Sequence, residues 1–228
     1  MSGTLYITGN TAADTLLNSN GTALMIGMLL DQQVPMEWAF NGAHTLKQRL
    51  GHLDPARIAA MDPEAFLAVC LEKPAIHRFP KAMAGRIQGL CALLDERYKG
   101  RAENIWRGVD DASVLFERLR EFPGFGEETA QIFVALLAKR FGIKPRGWKT
   151  AAGVFSDSNP RTVADITSPA TLAKVRAWKK AEKEADRDKQ SRPFATTTAK
   201  KKSATNTTTT KKPATQKPTA HRKPAAGR

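Results

Sequence analysis

The segment from Leu115 to Phe141, LFERLREFPGFGEETAQIFVALLAKRF, constrains the fold more than any other stretch. Leu115, Leu119 and Phe122 recur at helical spacing and complete one apolar stripe. Ile132, Phe133, Leu136, Leu137 and Phe141 form the stripe of a second helix. Between them, Phe122-Pro123-Gly124-Phe125-Gly126 predicts a tight reversal, because glycine tolerates backbone conformations that other residues avoid and leaves its N–H groups bare. Those groups fall beside a helix N-terminus, where free N–H donors and the helix dipole favour an anion such as a phosphate oxygen. An ordinary αα-hairpin with a glycine turn has the same spacing. Spacing alone leaves both roles open.

The rest of the first 190 residues reads the same way. Met83, Ile87, Leu90, Cys91, Leu94 and Tyr98 make one helical stripe over 80–99, and Thr22–Gln33 forms another helix with Leu24, Ile26, Met28 and Leu29 inside. Asp54-Pro55, Asp62-Pro63 and Ser168-Pro169 each set a capping side chain before a proline at the first helical position. Only Leu5-Tyr6-Ile7 looks strand-like. The expectation is a mainly α body with about six to nine helices and no repeat of solenoid length. Cys70 and Cys91 lie in apolar stripes and read as core thiols, too few for a disulfide framework. None of His44, His52, His77 and His221 has a metal-ligand partner at suitable spacing, so neither a metal nor any other cofactor is expected. Trp38 and Trp106 read as core or surface packing. No 18-residue apolar run and no secretory leader is present, so a cytoplasmic chain without a membrane partner is expected.

Charge divides the chain in two. Of the 36 Lys and Arg, ten fall in residues 191–228, which hold no acid; the first 190 residues carry 26 basic and 22 acidic groups. Residues 191–228 are rich in Thr, Ala, Lys and Pro, with no large apolar residue after Phe194, and this composition predicts a disordered tail. Its clusters at Lys200–Lys202, Lys211–Lys212, Lys217 and Arg222–Lys223 suit a polyanion bound by counterion release. The domain boundaries expected are therefore 1–190 for a helical body and 191–228 for the tail. A tail that aids solubility or recruits a protein has the same composition.

Phe-Pro-Gly-Phe-Gly-x-x-Thr-Ala, over Phe122–Ala130, resembles the helix–hairpin–helix signature of the HhH-GPD DNA glycosylase superfamily. Upstream, Leu29-Leu30-Asp31-Gln32-Gln33-Val34 resembles the helix end that approaches the lesion in that family, and the two motifs stand about 90 residues apart. The resemblance covers roughly residues 22–155, and the whole chain is most similar to HhH-GPD proteins described only as base-excision-repair-like. It implies a two-layer helical fold with double-stranded DNA in a cleft. The chain is expected to be a monomer, and its tail, similar in flavour to those of nucleoid proteins, points to association with the nucleoid. By the same resemblance, Pro123, Gly124, Phe125, Gly126 and Thr129 clamp the backbone while Gln32 and Gln33 probe the duplex.

The chain departs from the family where the chemistry lies. A glycosylase needs a carboxylate to stabilise the oxocarbenium-like sugar as the base departs. The stretch that corresponds to the family's catalytic aspartate is Lys144-Pro145-Arg146-Gly147-Trp148-Lys149-Thr150, which holds no acid. Glu128 stands where lyase members carry a Schiff-base lysine, and the family's cysteine-rich cluster loop is absent. Asp157, Glu128 (or its neighbour Glu127) and Asp31 are the alternative carboxylates. Each also has an ordinary structural reading: a turn residue, acids in a first helical turn, and a helix-end residue. Trp148 suits stacking on an extruded base, with Arg146 and Lys149 placed for phosphate, and it equally suits a half-buried core position. The functions expected are a monofunctional DNA glycosylase acting on a flipped base, or a non-catalytic DNA-binding protein on the same scaffold. A protein-interaction module using the same hairpin is a third class.

Overall fold

The computed structural model describes the backbone of residues 1–191 and the side chains through Ala185. Residues 1–190 make one compact unit, and of the cationic tail expected at 191–228 all but Ser191 lies outside the described residues. Among the described residues ten α-helices follow one another: α1 (Thr11–Ser19), α2 (Gly21–Leu30), α3 (Met36–Leu50), α4 (Pro55–Ala59), α5 (Pro63–Leu71), α6 (Pro80–Tyr98), α7 (Ala112–Arg120), α8 (Glu127–Arg140), α9 (Trp148–Ala152) and α10 (Pro169–Ser191). The mainly α class is correct, with one helix more than the expected range. Short 3-10 turns join some of them, and no strand occurs among the described residues.

Local chemistry explains the boundaries. Asn10, Asn20, Asp54, Asp62 and Asp111 each accept a backbone N–H from the first turn of the helix that follows. Pro55, Pro63 and Pro80 open helices at a position where the missing N–H costs nothing. The strand-like Leu5-Tyr6-Ile7 is instead an irregular segment. The Asn18 amide holds Leu5 through its N–H and C=O, at 2.8 and 3.0 Å, and Asp14 accepts from the Ile7 and Thr8 N–H groups. Side chains of α1 thus do the work of a partner strand, and Leu5 and Ile7 are buried without a ladder.

All ten residues of α2 are buried, so the helix is apolar all round and forms the centre of the body. Gly27 permits a close approach to α3: a Cβ there would lie 2.7 Å from a Phe40 ring carbon. The helix ends at Leu30, three residues short of the expected Gln33, which frees Asp31, Gln32 and Gln33 to form a corner. On the other side α7 and α8 form the anticipated hairpin. Phe122, Phe125 and Phe133 join edge to face, with centroids 6.1 and 5.8 Å apart, and seal it into the core. Cys70 and Cys91 are buried, and that burial pushes each thiol up to about 12, so both are inert structural thiols at neutral pH. No helix among the described residues is long and apolar enough to cross a membrane.

Candidate nucleic-acid interface

The hairpin turn meets the end of α2. Gly124 has φ +80, and a Cβ there would lie 2.5 Å from Leu29 Cδ1, so both conformation and close approach require glycine. Gln32 spans the junction. Its Nε2 donates to Leu29 O at 2.9 Å and to Gly124 O at 3.4 Å, while its Oε1 accepts from Arg86 Nη1 at 3.0 Å. The exposed Arg86 of α6 therefore stands beside the turn, a cation that sequence reasoning missed because it lies outside both motifs.

Gly126 is different. It adopts an extended backbone (φ −73, ψ −177) open to any residue, and a Cβ there would meet nothing within 4 Å. The expectation that both glycines serve the reversal is thus corrected: Gly124 makes the turn, and Gly126 leaves open space over the start of α8. Gly126 is also the N-cap of α8, and no side chain caps the first turn. The N–H groups of Glu127, Glu128 and Thr129 lack intrahelical partners, as the first amides of any helix do. Phe125 requires a second correction. Its ring is buried, and its N–H donates to Phe122 O at 3.0 Å, so it is a core and turn residue, with neither ring nor amide free for a ligand. Pro123 and Thr129 are half-buried at the rim, and Glu127 and Glu128 are exposed.

A second layer holds Gln32 from behind. Nδ1 of the buried His77 accepts the Phe79 N–H at 3.0 Å, so Nε2 carries the proton and donates to Gln32 O at 2.9 Å. His77 lies between Trp38 and Phe79, with ring centroids 6.4 and 5.9 Å away, and both of those rings are exposed. Arg78 caps the Phe79 face at 5.2 Å. Two exposed aromatic rings and Arg78 thus lie behind Gln32, while Arg86 stands beside the turn. Phe79 carried no sequence signal, because a lone aromatic before a proline reads as core.

Asp31 and Gln33 face another way. They line a cleft of about 720 Å³ between the α2–α3 corner and α10, whose far wall presents Arg176, Lys179 and Lys180. Gln33 is exposed and holds φ +60, a conformation uncommon outside glycine. Burial pushes the Asp31 carboxyl up from its ordinary value; the Lys179 ammonium opposes this and the Glu37 carboxylate adds to it.

Arg146, Trp148 and Lys149 form a separate group. Arg146 pairs with Asp110–Ala112 through a parallel bridge, and its exposed guanidinium reaches Asp111 at 3.2 Å. Asp111 brings a carboxylate to the very stretch that contains none in sequence. It is already engaged, accepting from the N–H and Oγ of Ser113 at 2.9 and 2.8 Å, and these bonds with Arg146 hold it below the usual carboxylate range. Trp148 opens α9 and is half-buried against the core, while Lys149 is exposed. Among the described residues no hydrogen bond or ion pair joins this group to the hairpin corner.

Asp157 is a turn residue. Its carboxylate accepts from Asn159 N and Nδ2 at 2.9 and 2.7 Å and from Arg161 Nη2 at 3.1 Å. Desolvation alone raises its pKa, but those bonds prevail and hold it below the ordinary value. A carboxylate with its lone pairs so occupied is poorly placed to stabilise a sugar cation. No cluster of His, Cys, Asp or Glu suited to a metal ion occurs among the described residues. No family model, curated protein or solved structure gives a significant match to the chain.

Proposed function

We propose that this protein binds double-stranded DNA as a base-excision-repair-like factor, gripping the sugar-phosphate backbone at the corner formed by Gly124, Gly126 and the start of α8. The observation that carries this reading is the uncapped first turn of α8 beneath the open space at Gly126, with Arg86 alongside. Helix N-terminal amides with no side chain in front of them receive a phosphate oxygen directly. The exposed Phe79 and Trp38 supply rings on which base faces stack, and Gln32, its amide engaged by Leu29, Gly124 and Arg86, fixes the corner against the end of α2. Glu127 and Glu128 oppose phosphate, and Arg86 offsets part of that cost. The cationic tail adds the non-specific electrostatic component.

The experiment is duplex binding by the full chain, with and without Gly126→Ala, as a function of salt. The alanine Cβ occupies the space assigned to the phosphate. Unchanged affinity and unchanged salt slope would remove the hairpin from the interface.

A second reading, a monofunctional glycosylase, rests on Asp31. Its half-buried carboxyl adjoins Gln32 and opens into a cleft lined by Arg176, Lys179 and Lys180 together with Glu37 and Glu184, whereas Asp157 is engaged in its own turn and Glu128 is exposed on α8. Duplexes carrying uracil, hypoxanthine, alkylated or oxidised bases, treated with the protein and then with alkali, test it. Strand scission that Asp31→Asn abolishes supports the enzyme; no scission on any duplex leaves the non-catalytic binder.

A further inference from the structure

We propose that the cleft between the C-terminal end of α6 and helix α7 is a phosphate-binding site, taking the oxyanions of a phosphodiester or of a free inorganic phosphate such as pyrophosphate. The cleft encloses about 550 Å³, and Arg97, Lys99, Arg107 and Arg118 converge on it against the single acid Glu121. Arg97 is matched to Glu121 at 2.6 Å. Lys99 and Arg107 are exposed, and no ion pair engages either among the described residues. Arg118 is fixed from behind, its Nη1 donating to Ile105 O at 2.9 Å. A guanidinium carries five N–H donors in a rigid fork, so this anchor orients the group and leaves other donors for a ligand.

Helix dipoles explain part of the arrangement. Arg97 and Arg118 lie in the last turns of α6 and α7, and Lys99 caps α6, all favourable places for a cation. Arg107 lies outside any helix and so has no such reason to be there. Three positive groups around one concavity repel each other, and an anion seated among them relieves that repulsion. The Tyr98 ring, in the same cleft, stacks on Phe122 with centroids 5.8 Å apart. The cleft therefore adjoins the hairpin turn, which makes a phosphodiester of the same bound duplex one source of the anion. That source rests on the reading above; free phosphate does not.

The test follows backbone amide resonances of Lys99, Gly100, Arg107 and Gly108 in the full chain, titrated with inorganic pyrophosphate and, separately, with a short DNA duplex. Saturable shifts at these amides are expected with pyrophosphate and with duplex, and both should disappear in a Lys99→Gln/Arg107→Gln double variant with an unaltered melting temperature. The salt slope of duplex binding should also fall by roughly 0.9 for each phosphate contact removed. A response to pyrophosphate alone assigns the site to free phosphate, and a response to duplex alone assigns it to the phosphodiester. Amides unmoved by either ligand overturn the proposal. Gly126→Ala keeps the two claims apart, since a cleft that binds pyrophosphate must still do so in that variant.

Discussion

The corner over 122–129 leads into α8 and the turn over 157–165 follows α9, and the two use their polar groups in opposite ways. In the 157–165 turn almost every group answers another. Lys139 Nζ donates to Asp157 O and to Asp165 Oδ1, both at 2.6 Å, and Asp165 Oδ2 accepts from the N–H groups of Arg161 and Thr162. Arg161 also lies 4.9 Å over the Trp178 ring, so the turn is fastened to α10. At the corner, Gly126 offers no cap, and the first amides of α8 open to solvent. A saturated loop stabilises the fold and has nothing left for a ligand. A loop with unanswered donors at its surface is where a ligand gains most.

The largest expected effect breaks the saturated loop. The Lys139 and Asp165 side chains are only 13% and 10% exposed, so removing one partner leaves a nearly buried charge unpaired. Asp165→Asn or Lys139→Met should cost about 3–5 kcal/mol of stability. In a body of this size that lowers the melting temperature by roughly 10 °C. Duplex affinity of the fraction still folded should be unchanged. A loss of affinity with no loss of stability would reverse the assignment of the two loops.

Next comes the turn of the corner itself. Gly124→Ala places a side chain at φ +80 and a Cβ against Leu29. A positive φ and an overpacked contact each cost about 1–3 kcal/mol, so thermal or urea unfolding should show a clear destabilisation. Gln32 should loosen with the turn, and duplex binding should weaken. Gly126→Ala sharpens the contrast, because its backbone is ordinary and its space is empty. Losing the glycine N-cap to alanine is a modest stability penalty. A displaced charge-assisted hydrogen bond to phosphate is worth roughly 1.5–3 kcal/mol, so binding should suffer more than folding. Equal effects of Gly124→Ala and Gly126→Ala on affinity relative to stability would mean that the corner is only a turn.

Sequence disclosed the hairpin well because three independent signals coincide there: two apolar stripes and a Pro-Gly turn. It disclosed less about which glycine does what. Both glycines look alike as letters, and only the backbone angles separate a required conformation from an open approach. Phe125 was assigned to the interface by its place in a motif, whereas packing against Phe122 and Phe133 takes it into the core. Arg86, His77 and Phe79 reach the corner from α6 and the loop before it, far away in sequence, and no local pattern announces such a meeting. Leu5-Tyr6-Ile7 misled because alternation tests only which side chains are buried. Here the backbone is satisfied by Asn18 and Asp14 rather than by a second strand.

The smallest expected effect concerns Asp31, the one carboxyl near the corner that burial raises rather than one that hydrogen bonds lower. Its folded pKa lies above the unfolded value, so the folded state holds its proton to higher pH than the unfolded chain does. Its contribution to stability is therefore greatest at acid pH. It declines as pH rises from about 3.9, the unfolded value, up through the raised folded one. Asp157 runs the other way: its folded pKa is depressed, and its contribution is present above about 3.9 and lost as pH falls through the lower folded value. Asp31→Asn should leave stability near pH 4 almost unaltered and raise it slightly at neutral pH, whereas Asp157→Asn should lower it at neutral pH. Melting temperatures across that range for the two variants test the pair. Parallel pH profiles would show that the two carboxyls share one environment, and the contrast between a carboxyl governed by burial and one governed by the hydrogen bonds of a saturated loop would then fail.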